Sequence, residues 1–196
     1  MKAIKFTMGV LMIIFTMNSY GQNCKIEFFL LKKEIVSIDS VESVMVGDTL
    51  ITIRLPGNFH ATIDDLEETA FIADNEINSF YIHKYISENK TVERHFFIVP
   101  KTVVERINKQ EIPLCCGKQF ALLIDDNIVY GGYFWNFYSS FSCNGIVAVA
   151  FNEGILIERK LPDYGYENEM EETTDIRQNQ NLFNCLKSTD RMKNND

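Results

Sequence analysis

Short apolar runs rich in β-branched and aromatic residues recur along the chain, at 26–31, 50–55, 80–86, 95–99, 120–124, 128–134, 146–151 and 155–159. Each has the length and composition of a β-strand. Asp125-Asp126-Asn127 and Asn152-Glu153-Gly154 each separate two such runs with residues that tolerate left-handed backbone, which predicts two hairpins. Residues 87–92 read as a longer hairpin loop. Helical periodicity is confined to two main places. After Pro100, which suits a first helical turn, Val103, Val104 and Ile107 share one face, and Pro113 stops the run. Near 174–188, Ile176, Phe183 and Leu186 are spaced by seven and three, with Asp175 placed at the positive end of the helix dipole. A weaker helical turn covers 63–72. No strand–helix–strand alternation is visible. The pattern predicts an α+β or mostly β fold, with an antiparallel sheet of about six to eight strands, a short mid-chain helix and a C-terminal helix.

The first residues break this pattern. Lys2 and Lys5 precede an apolar core at 6–17, and Ser19 and Gly21 supply the small side chains that signal peptidase needs at −3 and −1. A span of the bilayer takes roughly 20 apolar residues, so this shorter core reads as a cleavable signal peptide over 1–21, with Gln22 as the mature N-terminus. The rest, 22–196, reads as a single globular domain, because no repeat, low-complexity tract or Pro/Gly/Ser linker divides it. Its one compositional break is acidic: Asp163, Glu167, Glu169, Glu171, Glu172 and Asp175 occur with no Lys or Arg among residues 163–175. Their spacing matches no calcium loop, and 163–174 reads as a solvated acidic linker before the last helix.

Composition narrows the class. The 196-residue chain is 46% hydrophobic and 23% charged, as globular domains are. Its formal charge of −8 becomes −10 once Lys2 and Lys5 leave with the leader. That charge repels phosphate backbones and excludes nucleic-acid binding driven by overall charge. Mean hydropathy is −0.09, and no second long apolar run exists, so no stable membrane insertion is expected after signal removal. The excess of Ile, Asn and Lys over Ala and Arg suggests an AT-rich bacterial genome, and with the leader it points to a periplasmic or secreted protein.

All five cysteines, Cys24, Cys115, Cys116, Cys143 and Cys185, lie beyond the leader, where an oxidising compartment lets them pair. A bond between adjacent Cys115 and Cys116 would close a strained eight-membered ring. The expected disulfide therefore joins Cys143 to Cys115 or Cys116. Cys185, flanked by Leu182-Phe183 and Leu186, reads as a buried thiol.

The signatures of the large hydrolase, NTPase and dehydrogenase families are absent from the sequence. If the hairpin loop is symmetric about residue 89, His83 and His95 face each other and could hold Zn²⁺ or Cu²⁺. His60 or a carboxylate would have to supply a third ligand, none is evident, and no bound metal or cofactor is expected. Asp125-Asp126 could serve glycoside chemistry, but both sit at a predicted turn.

The densest feature is 130–141, with seven aromatics in twelve residues. Gly131-Gly132 within it marks a bulge or a close approach by a backbone or ligand. Tyr133 and Trp135 share one strand face and are the candidate binding residues, suited to sugar rings or an apolar peptide. The leading reading is a small exported bacterial domain that binds a protein or glycan without chemistry of its own, as inhibitors and immunity proteins do. The alternative is an exported hydrolase or metal-dependent enzyme outside the recognised motifs.

Overall fold

The computed structural model describes residues 24–37, 41–46, 49–54, 56–87, 89–161 and 175–193. The expected leader 1–21 and acidic linker 163–174 lie outside these described residues. Among the described residues, nine strands follow in order: β1 Ile26–Leu30, β2 Val41–Val46, β3 Thr49–Arg54, β4 Ser79–Ser87, β5 Lys90–Ile98, β6 Lys118–Ile124, β7 Asn127–Phe134, β8 Val147–Phe151 and β9 Gly154–Glu158. Helix α1, Lys101–Asn108, sits mid-chain and α2, Gln180–Ser188, is C-terminal. Seven strands make one sheet in the order β1-β6-β7-β8-β9-β5-β4, and β2 and β3 pair separately. The α+β, largely antiparallel reading is therefore correct. Among the described residues, no helix is long and apolar enough to cross a membrane.

The large sheet is three hairpins joined side by side, with β1 on one edge. Their turns use the residues that the sequence marks. Asp125 (φ 47) and Asp126 (φ 64) connect β6 to β7, Asn152 (φ 51) starts the turn from β8 to β9, and Asn89 (φ 65) lies between β4 and β5. Short polar side chains adopt left-handed backbone at low cost. The joint between β7 and β8 is the sheet's parallel pairing and is very short, with Tyr133 opposite Val147 and Phe134 opposite Ala148. Two parallel strands need a crossover, and here the crossover is the loop 135–146.

Alternating side chains sort onto two faces. One holds Phe28, Phe80, Phe97, Phe120 and Phe134 beneath both helices, which contribute Val103, Val104, Ile107, Leu182 and Leu186. The other holds Leu123, Tyr133, Trp135 and Val147 beneath Leu31, Phe59 and Leu66 from the segment between β1 and β4. The acidic residue near α2 has a different task from the one its position suggests. Asn179 caps the helix, its side chain accepting from the N–H groups of Asn181 and Leu182. Asp175 is buried against Arg177. The helical turn expected over 63–72 reduces to a single 3-10 turn at Ile63–Asp65.

The expected disulfide is not the one that forms. Cys24 is bonded to Cys185, joining the approach to β1 to α2, so Cys185 is not a free thiol. Cys143 is fully buried in the second core face, with its thiol aimed at the Gly145 carbonyl 3.6 Å away, and bonds neither Cys115 nor Cys116. Burial pushes that thiol up to about 12. Hydrophobic flanks of Cys185 signal burial, and burial suits a structural disulfide as well as a thiol.

Candidate functional site

The aromatic segment divides at the end of β7. Up to Phe134 it is strand and core. Gly131 and Gly132 make room for the protein's own rings: an added Cβ would lie 2.8 Å from the Phe59 ring at Gly131 and 2.7 Å from the Phe120 ring at Gly132. The bulge lies just before them, where Leu122 opposite Tyr130 is followed by Leu123 opposite Ile128 and Val129 is left over. Tyr133 is buried, and its hydroxyl donates to the Gly57 carbonyl at 2.8 Å. Burial pushes its phenol up. It packs against the Phe59 ring and does not face outward.

After Phe134 the chain turns away from the sheet. Trp135 N–H donates to Ala148 O at 2.9 Å, the last link to β8. The loop then folds on itself. Tyr138 N–H donates to Asn136 Oδ1 at 2.9 Å, and Phe141 N–H donates to Ser139 Oγ at 3.2 Å. This geometry holds Phe137, Tyr138 and Phe141 outward, with 69%, 88% and 45% of their surface exposed. Phe151, at the end of β8, is exposed beside them.

Trp135 itself is only 3% exposed, yet it forms part of the wall of two surface hollows. The first, of about 600 Å³, runs between the loop and the β8–β9 hairpin and is lined by Val149 and Leu156 as well as by Arg94 and Glu158. Arg94 Nε donates to Glu158 Oε1 at 2.9 Å. The second, of about 540 Å³, lies toward α1 and is lined by Asn108, Gln110, Asn136 and Asn152 as well as by Phe137 and Tyr138. Trp135 Nε1 is buried with no hydrogen-bond partner among the described residues.

The two histidines do not meet. Hairpin β4–β5 closes at Ser87 opposite Lys90, so His83 pairs with Arg94 and His95 with Ile82. The tight turn moves the register by one residue from a loop centred on residue 89, and a slip of one residue sends a side chain to the other face. His83 is exposed, whereas His95 is buried beside Phe80. His60 is exposed and lies outside β4 and β5.

Sequence reasoning missed a buried polar cluster where the chain re-enters the fold before α2. Arg177 is 1% exposed. Its guanidinium donates to both carboxylate oxygens of Asp175 at 2.6–3.2 Å and to the carbonyls of Glu93 and Ile157, each at 3.1 Å. Gln178 Nε2 donates to Glu93 Oε2 at 2.9 Å, and Lys84 pairs with the same carboxylate. This cluster clamps 175–178 onto β5 and β9. Its one sequence signal is Arg177 as the first basic residue after the acidic stretch 163–175.

Comparison with protein-family models, curated proteins and solved structures finds no match to this chain.

Proposed function

We propose that this chain is an exported bacterial binding protein that does no chemistry of its own. Its recognition surface is the loop 135–142 together with the end of β8. One observation carries this reading: the chain's single tryptophan, Trp135, walls two hollows whose rims are the exposed rings of Phe137, Tyr138, Phe141 and Phe151. Exposed apolar surface concentrated in one place marks a site of interaction, and aromatic rings dominate such sites energetically. A buried indole N–H without a partner costs about 1–3 kcal/mol, which also sets this wall apart from settled core.

The hollow toward α1 suits a neutral glycan. Four amide side chains and four aromatic rings line it, and no charged side chain does. Amides exchange hydrogen bonds with sugar hydroxyls, and a ring face stacks on the C–H face of a pyranose. A protein partner of the inhibitor or immunity type is the second reading, supported by the protrusion of Phe137 and Tyr138, which offer more ring surface than one sugar covers.

Because Trp135 is the sole tryptophan, its fluorescence reports occupancy directly. Titration with a panel of neutral bacterial oligosaccharides is expected to give a saturable change, weakened in Phe137→Ala and Asn108→Ala at unchanged melting temperature. If no member of the panel shifts the emission, while extracellular protein from the native host is retained by wild type and released by Phe137→Ala, the second reading replaces the first. Failure of both assays overturns the site.

A further inference from the structure

Cys115 and Cys116 occupy the turn between Pro113 and β6, with their sulfurs 2.9 Å apart. Gly117 N–H closes that turn on the Pro113 carbonyl at 3.1 Å. Gly117 has φ +64, and a Cβ there would meet Trp135 Cε3 at 2.7 Å and Phe134 O at 2.8 Å, so the turn is seated against the aromatic segment. Cys115 is exposed and Cys116 half-buried, whereas Cys143 is sealed in the core. We propose that Cys115 and Cys116 form a reversible vicinal disulfide, a redox-responsive site separate from the structural Cys24–Cys185 bond.

The oxidant would be a small disulfide of the glutathione class. The exposed Cys115 thiolate attacks one of its sulfurs, forming a mixed disulfide and releasing one thiol. Cys116 then attacks the Cys115 sulfur, closes the ring and releases the second thiol. The protons of the two cysteines pass to the two departing thiolates, so one protein disulfide forms as one small disulfide is reduced. The order follows from access. Burial and the neighbouring Cys115 sulfur push the Cys116 thiol up to about 11, which keeps it protonated and leaves the first attack to the exposed Cys115.

Ring strain makes the bond labile. Adjacent Cα atoms across a trans peptide are about 3.8 Å apart, below the roughly 4.4–6.8 Å that relaxed disulfides span. Strained or exposed disulfides are the readily reduced ones. The Cys24–Cys185 bond, with Cα atoms 5.7 Å apart, lies inside that range. The turn is also wired to the loop above it. Ser139 Oγ donates to Leu114 O at 2.5 Å and accepts from Phe141 N–H. Closing the ring restricts the turn that carries Leu114 and thereby tightens the loop that displays Phe137 and Tyr138.

The test is thiol mapping of the full chain. After treatment with glutathione disulfide and blocking with iodoacetamide, digestion without reduction is expected to yield Cys115 and Cys116 unalkylated in one peptide, lighter by two hydrogens. Graded dithiothreitol should open this pair at a concentration about tenfold below that needed for Cys24–Cys185. Alkylation of both thiols after oxidation, a persistent mixed disulfide, a bond to Cys143 or to a second chain, or opening together with Cys24–Cys185 each overturns the proposal. Amide hydrogen exchange over 136–142 should slow on oxidation, and the difference should vanish in Ser139→Ala. Unchanged exchange in wild type overturns the coupling. No glycan or protein partner enters these measurements, so their failure and that of the binding surface are told apart.

Discussion

Cys24 and Cys185 are bonded across 161 residues of sequence, with Cα atoms 5.7 Å apart, so the approach to β1 and the helix α2 hold one another in place. Arg191 reinforces the junction, donating to Asp74 Oδ1 at 2.7 Å, while Asp74 Oδ1 also accepts from Ile26 N–H at 2.8 Å.

A bond that closes so long a loop removes much conformational freedom from the unfolded chain. The double variant Cys24→Ser/Cys185→Ser is expected to fold but to lose about 2–5 kcal/mol, read as a lower urea midpoint. An unchanged midpoint would show that the hydrogen bonds of Asp74 and Arg191 suffice at this junction.

Acid should weaken the fold in two overlapping steps. His95 and then Lys84 hold the Glu93 carboxyl down to about 2 against the opposing effect of burial, from an ordinary value of 4.5. Between those values the unfolded chain binds the extra proton, so the stabilisation is complete above the unfolded value and is lost as pH falls through it toward 2. Burial holds the His95 imidazole below its ordinary 6.5, so the unfolded chain again takes the proton first and stability falls as pH drops below that value. Urea midpoints should decline from pH 7 to pH 5 and decline again by pH 3.5, with Glu93→Gln flattening the second decline. A midpoint level across the whole range would contradict both assignments.

Gly132→Ala should be costly. Its Cβ would lie 2.7 Å from Phe120 Cζ and 2.9 Å from the Ile146 carbonyl, and that carbonyl is already held by Tyr133 N–H at 2.9 Å. With backbone on one side and a buried ring on the other, neither neighbour has room to yield, and the expected loss is about 1–3 kcal/mol in equilibrium unfolding. A neutral substitution would mean that Phe120 can repack.

Much of the fold was legible because it rests on local alternation. All eight apolar runs contain or overlap strands, and Asp125, Asp126 and Asn152 take the left-handed conformations their turns require. Strand β2 escaped because Glu42 and Ser43 interrupt its apolar pattern. The site was half legible. The aromatic density of 130–141 marks the segment that carries the exposed rings of Phe137, Tyr138 and Phe141, whereas Tyr133 and Trp135, the residues singled out from strand alternation, are buried.

The sequence by itself determined eight of the nine strands among the described residues, both helices, the two turns marked by Asp125-Asp126 and Asn152, and the place of the aromatic cluster, since these depend on side chains a few positions apart. Tertiary structure decided the rest. A two-residue turn, one residue tighter than its loop suggested, sent His83 and His95 to opposite faces. The pairing of Cys24 with Cys185 follows from docking α2 near the approach to β1, a relationship with no local signature. The burial of the sheet face that carries Tyr133 and Trp135 depends on Leu31, Phe59 and Leu66, which arrive from far along the chain to pack in the same core cluster. Local periodicity records which side chains share a face, and only the assembled sheet settles what covers that face.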